Sequence, residues 1–170
     1  MNTPSRFLAR AAVLTSLLLA AAAAQTAPKF NGAMPLEWSV KLADSEMART
    51  GDRHFFGGSN PRARIDYTTS FFGTALVKLA DRTGKQAYAD YGLKFGTSFV
   101  AADGTIHTYK LEDYNIDMIP PGKVLLLAWE RGDRSPAMKK AIEALYGQMQ
   151  KHPRTSDGGY WHKLRYPNQM

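Results

Sequence analysis

The run Pro153-Arg154-Thr155-Ser156-Asp157-Gly158-Gly159-Tyr160-Trp161-His162-Lys163-Leu164-Arg165-Tyr166 crowds a Gly-Gly pair, aromatic rings, an imidazole and several cationic side chains into one short stretch. Glycine lets backbone approach closely or take positive φ, and proline fixes chain direction, so the stretch reads as an ordered loop presenting Trp161 and His162 at one mouth. An aromatic face beside an imidazole and cationic groups suits a sugar ring that carries a carboxylate. Trp161 can stack on such a ring or simply pack. Arg154 and Lys163 can pair with a carboxylate, and Arg154 can equally cap the preceding helix. A second candidate is Asp117, in Asn115-Ile116-Asp117-Met118-Ile119-Pro120-Pro121-Gly122. Apolar neighbours would desolvate its carboxyl and raise its pKa, which is what a general acid needs; the same residue can also be a helix N-cap or a loop acid. His54, His107 and His152 read as structural or solvated. The histidines lack metal-ligand spacing and the chain has no cysteine, so no metal site is expected. Gly57-Gly58 lacks the lysine and strand context of a phosphate loop, and no cofactor is expected.

The elements that must position these residues are helices. Leu36 to Arg49 places Leu36, Trp38, Val40, Leu42, Ala43 and Met47 near helical spacing, with Pro35 before it and Gly51 after it. Asp52 to Arg64 is a polar loop containing Gly57-Gly58-Ser59-Asn60-Pro61. A second helix is expected over Thr68–Arg82, with Phe71, Phe72, Ala75, Leu76 and Leu79 on one side, and a third over Gln86–Val100. Ile106 to Tyr109 has the pattern of a short strand. A Pro-containing loop from Asp113 then feeds a fourth helix over Lys123–Glu130, and a fifth runs from Pro136 to Gln150, with proline at the first turn. Arg49-Thr50-Gly51-Asp52, Arg82-Thr83-Gly84-Lys85 and Arg131-Gly132-Asp133 end three of these helices alike. Glycine C-caps on any three helices would give that pattern. So would a repeat of helical hairpins, an apolar inner helix and a charged outer one, which stack into an α/α toroid.

At the N-terminus Arg6 and Arg10 precede an apolar run, Ala11–Ala24, that ends in small residues. This describes a secretory signal peptide over residues 1–24 and an exported mature chain from residue 25. About fourteen apolar residues fall short of the roughly twenty that a bilayer span needs, so no stable membrane anchor is expected. The formal charge of the 170 residues is +7, which favours anionic partners. The basic residues are spread over helix faces rather than gathered in a run, and export removes the chain from nucleic acid. Acidic carbohydrate is the better-placed anion.

Three segments carry a resemblance to a known family: Leu79–Tyr88 (LADRTGKQAY), Asp113–Leu125 (DYNIDMIPPGKVL) and, most specifically, Pro153–Met170. From about Trp38 onward the chain resembles the unsaturated uronyl hydrolases of glycoside hydrolase families 105 and 88. The resemblance implies an all-α (α/α)6 toroid of six hairpins, of which residues 25–170 would form an incomplete N-terminal part. It implies oligosaccharide substrates with a 4,5-unsaturated uronic acid at the non-reducing end, as polysaccharide lyases leave them. It also implies that Asp117 is the assisting active-site aspartate and that His162 contacts substrate, with Trp161 and Lys163 beside it. The family's Trp-x-Tyr-x-x-Gly pattern places a substrate contact at Tyr67, although Ile65 and Ser70 stand where the tryptophan and glycine would be. In the family the Pro153–Met170 segment continues into Trp-x-Asp-Gly, whose aspartate is the main catalytic acid. The 170 residues are therefore expected to be inactive alone, with self-association through inner-helix faces such as Val124, Leu125, Leu126 and Leu127. The alternative from another class is a non-catalytic exported protein that binds acidic oligosaccharide through Trp161, His162 and the basic loops.

Overall fold

The computed structural model describes residues 28–54 and 64–166. The leader reading of residues 1–24, the Gly57–Pro61 loop and the end of the motif, Pro167–Met170, lie outside the described residues. The chain divides into two compact units, Met1–Ser39 and Val40–Met170. In the first, Phe30 and Ala33 pair across a turn, and the Trp38 indole Nε1 donates to the Phe30 carbonyl at 2.8 Å. Helix α1, Pro35–Thr50, begins with proline at its first turn and Glu37 close behind, both suited to a helix N-terminus.

The second unit takes the rest of α1 and four more helices: α2, Tyr67–Thr83; α3, Gln86–Thr97; α4, Gly122–Glu130; α5, Pro136–Lys151. It is all-α, and the short connections make α2/α3 and α4/α5 two consecutive hairpins. Asp66 starts α2 with a capping box: its carboxylate accepts from the Thr68 amide at 3.0 Å while Thr69 Oγ1 accepts from the Asp66 amide. Gly84, at φ +70°, ends the helix by donating to the Ala80 carbonyl, a conformation that costs glycine nothing. Ser135 caps α5, accepting from the Met138 amide at 3.2 Å.

Within the first hairpin α2 and α3 cross where glycine faces glycine. A Cβ on Gly92 would stand 2.6 Å from the Gly73 carbonyl oxygen, and one on Gly73 equally close to that of Gly92. The backbones touch there, and Leu76, Leu79, Ala80, Tyr88, Ala89 and Phe95 close the core around the contact together with Ala43 of α1. The Tyr88 hydroxyl donates to Asp44 at 2.7 Å, tying α3 to α1. A second core joins Phe99, Ile106, Met118, Leu125, Met138 and Leu145, so that α4, α5 and the loop carrying Asp117 share one interior.

Several sequence expectations change. Helix α3 stops at Thr97, not Val100; Phe99 leaves the helix to bury itself in the second core. Ile106–Tyr109 forms no strand. Only an isolated Val100–Ile106 bridge appears, because Thr108 turns into the left-handed region at φ +65° and Tyr109 donates back to Ile106. Phe71, expected on the apolar side of α2, is 72% exposed. In α4, Val124 and Leu125 are completely buried, against Gly96 and in the second core. Of the apolar residues expected to lack partners there, only Leu126 is exposed, and Leu127 is half-buried. Among the described residues no helix is long and apolar enough to cross a membrane.

Candidate active site

Asp117 sits in a single 3-10 turn, Ile116–Met118. The cap of that turn is Asn115, whose side chain accepts from the Asp117 amide at 3.0 Å. The N-cap alternative for Asp117 is therefore ruled out, and its carboxylate is left for other partners. Met118 anchors the turn in the second core, and Pro120-Pro121 turn the chain into α4.

The partners come from the Trp161–Lys163 segment. The Ile116 amide donates to the His162 carbonyl at 2.9 Å, and the Leu164 amide to the Asp113 carbonyl at 3.2 Å. These two bonds lay the segments side by side in opposite directions. Their side chains meet at one oxygen: Asp117 Oδ2 lies 2.9 Å from Lys163 Nζ and 3.1 Å from His162 Nε2. All three side chains are partly buried. Burial pushes the Asp117 carboxyl up, as the apolar neighbours predict, but the hydrogen bonds and charge of Lys163 and His162 outweigh it and hold the group below the usual carboxylate range. This overturns the expectation of a raised pKa. Asp117 is a carboxylate at neutral pH, a hydrogen-bond acceptor rather than a proton donor. On the Lys163 side a cleft of about 440 Å³ opens, lined by Glu112, Asp113, Asn115, Lys163, Leu164 and Arg165.

The other residues named from sequence fall in different places. Trp161 is partly exposed; its amide donates to the Pro153 carbonyl at 3.0 Å, so the backbone beside His162 is held on both sides. Tyr67 opens α2 and is 45% exposed, and among the described residues no hydrogen bond links it to the Asp117 cluster. Arg154 does not cap α5. It donates to the Gly158 carbonyl at 2.7 Å and to the Tyr160 hydroxyl, and its guanidinium carbon lies 3.8 Å over the Tyr160 ring. That clamp, with the Arg154–Tyr160 bridge, is what orders the Gly-Gly loop. Of the remaining histidines, His54 is buried against Tyr91 and Phe95, and burial lowers its pKa. His107 is exposed and stacks on Phe99. Among the described residues no three of His, Asp and Glu converge to hold a metal ion.

Sequence reasoning missed Gln148 and Tyr109, and left His152 without a task. Gln148 is completely buried and His152 nearly so. The Tyr109 hydroxyl donates to Gln148 Oε1 at 2.8 Å, and Gln148 Nε2 donates to the Asn115 carbonyl at 3.2 Å. Burial, with the nearby Glu112 charge second, pushes the Tyr109 hydroxyl up to about 12. The signal was present along α5 and its C-cap: Ala141, Leu145, Gln148 and His152 follow helical spacing, and a polar pair continuing an apolar stripe calls for buried partners.

The Glycosyl Hydrolase Family 88 model matches residues 38–170. Among solved structures the chain is similar to a glycoside hydrolase from family 105 of C. acetobutylicum ATCC 824, at 31% identity and a TM-score of 0.67. The match covers 78% of this chain and 34% of that one, so the chain spans about a third of the length of that structure. The second unit is accordingly an incomplete α/α toroid of helical hairpins.

Proposed function

Because the chain belongs to glycosyl hydrolase family 88, we propose that it is the N-terminal part of an exported unsaturated uronyl hydrolase, acting on lyase-generated pectic or related oligosaccharides. The observation that supports this best is the meeting of Asp117 with Lys163 and His162 at one carboxylate oxygen, beside an open cleft with Arg165 in its wall. In this reading Lys163 and Arg165 recognise the sugar's carboxylate, and His162 and Trp161 contact its ring. In the reaction, an acid protonates C4 of the vinyl ether and water adds at C5. The hemiketal so formed opens at C5–O5 to a C5 ketone, which leaves a hemiacetal at C1; that hemiacetal collapses to an aldehyde and releases the next sugar as an alcohol. Asp117, ionised by its neighbours, accepts a hydrogen bond from the incoming water and orients it; it does not deliver the proton. The protonating acid is a different group, which the family resemblance assigns to the Trp-x-Asp-Gly motif; on that reading residues 1–170 alone bind without turnover.

The test uses an unsaturated uronyl disaccharide made by a lyase. Calorimetry on the 170-residue chain should show saturable, salt-sensitive binding that weakens about tenfold in Lys163→Met, while the absorbance of the conjugated C4=C5 bond stays constant. Loss of that absorbance at an enzymatic rate would refute the expectation that residues 1–170 bind without turnover. Equal binding of a neutral disaccharide would refute the uronate reading. Binding without turnover by any longer form of the protein would favour the non-catalytic oligosaccharide-binding alternative.

A further inference from the structure

We infer that His152 and Gln148 are positioning residues for the candidate site, a buried pair at the end of α5 that sets the distance between the segment carrying Asp117 and the segment carrying His162 and Lys163. The inference rests on the reading of Asp117 as the active-site carboxylate only for its functional meaning; the geometry stands apart from any substrate.

The hydrogen-bond roles follow from one fixed point. The Tyr109 hydroxyl donates to Gln148 Oε1, so the amide nitrogen of Gln148 faces the other way, toward the Asn115 carbonyl and His152 Nδ1 at 3.1 Å. An amide nitrogen has only protons to offer. His152 Nδ1 is therefore the acceptor, and the ring's single proton is on Nε2, which donates to the Trp161 carbonyl at 2.7 Å. Gln148 thus holds Asn115, two residues before Asp117. His152 holds Trp161, one residue before His162 and two before Lys163. Every polar atom of the pair is used, and both side chains are out of water, where an unmade hydrogen bond is costly. The rings of Tyr114 and Tyr160 flank His152 in near-perpendicular contacts, with ring centroids at 5.8 and 5.5 Å, so it has little room to turn. Neither residue touches the Asp117 carboxylate. The pair acts through backbone, and a shift of either carbonyl would open the gap that Lys163 Nζ now closes at 2.9 Å.

The experiment is an NMR titration of the Asp117 carboxyl carbon in the 170-residue chain, with thermal unfolding measured in parallel. His152→Leu removes the donor to Trp161 at similar volume; His152→Gln keeps an N–H that can reach the same carbonyl. The expected result is that His152→Leu moves the Asp117 midpoint upward, toward or past the ordinary carboxylate value, and that His152→Gln restores it in large part. A purely structural role would lower the melting temperature in both variants and leave the midpoint unmoved in the folded protein; that result would overturn the inference. Should His152→Leu fail to fold, Tyr109→Phe, which frees the Gln148 amide by removing one hydroxyl, should give a smaller upward shift, and its absence would count equally against the inference. Failure of the oligosaccharide to bind, with the midpoint shifts intact, would refute the substrate reading and leave the positioning pair standing.

Discussion

Lys163 and Asp117, 46 residues apart in the chain, meet at 2.9 Å, and that contact, with His162, holds the Asp117 carboxyl below its ordinary range. The apolar surroundings push the Asp117 carboxyl up; the ammonium and the His162 ring bring it below its ordinary value. A carboxylate whose pKa is depressed by folding stabilises the fold above its unfolded value, about 3.9, and loses that contribution as pH falls through the folded value. The stability gap between the wild type and Lys163→Met should therefore be widest above about pH 4 and close as acid protonates Asp117. Urea unfolding between neutral and acid pH measures it. A gap that does not change with pH would mean that Lys163 contributes by packing alone.

The Gly73–Gly92 crossing sets how closely α2 and α3 approach. A methyl at Gly92 meets the Gly73 carbonyl at 2.6 Å and the Leu76 Cβ at 2.9 Å, backbone and core atoms with nowhere to go. Gly92→Ala should destabilise by about 1–3 kcal/mol through overpacking. Gly147, inside α5 with nothing near its absent Cβ, is the contrasting case: Gly147→Ala should stabilise by about 0.5–1 kcal/mol through helix entropy. Denaturant melts of both variants test the pair.

Arg154 holds the Gly-Gly loop by a fork and a stacked ring. Arg154→Ala should cost about 1 kcal/mol and speed amide exchange at Gly158, whose N–H donates to Thr155. Arg154→Lys should not rescue it, because an ammonium cannot serve both acceptors in one plane.

Between α4 and α5 an apolar cavity of about 360 Å³ is lined by Ile119, Leu126, Ile142, Leu145, Tyr146 and Met149 among others. Leu126 and Tyr146 stand 47% and 64% exposed there. Apolar surface of this kind drives association, so the chain is expected to pair with a second copy of itself through this face. Sedimentation should show concentration-dependent dimers that Leu126→Lys reduces. A monomer at every concentration would refute the expectation.

The helices were legible in the sequence because their signals are local. Gly84 after Thr83 and Pro136 at a first turn act over three or four residues, and they set the C-terminal end of α2 and the start of α5 to within a residue or two of the pattern. The chemistry of the Pro153–Tyr166 stretch was legible as a set of residue types suited to an acidic sugar, whereas the family came only from the resemblance of Leu79–Tyr88, Asp113–Leu125 and Pro153–Met170 to known motifs. The protonation state of Asp117 was not. Local apolar neighbours argued for a raised pKa, and the partners that lower it arrive from 45 and 46 residues away. Nor could the pattern show that Val124 and Leu125 find their partners in Gly96 and the second core, or that His152 is spent on the carbonyl of Trp161. Spacing along one helix tells which side chains share a face; what that face meets, and at what distance, is decided only when the hairpins pack.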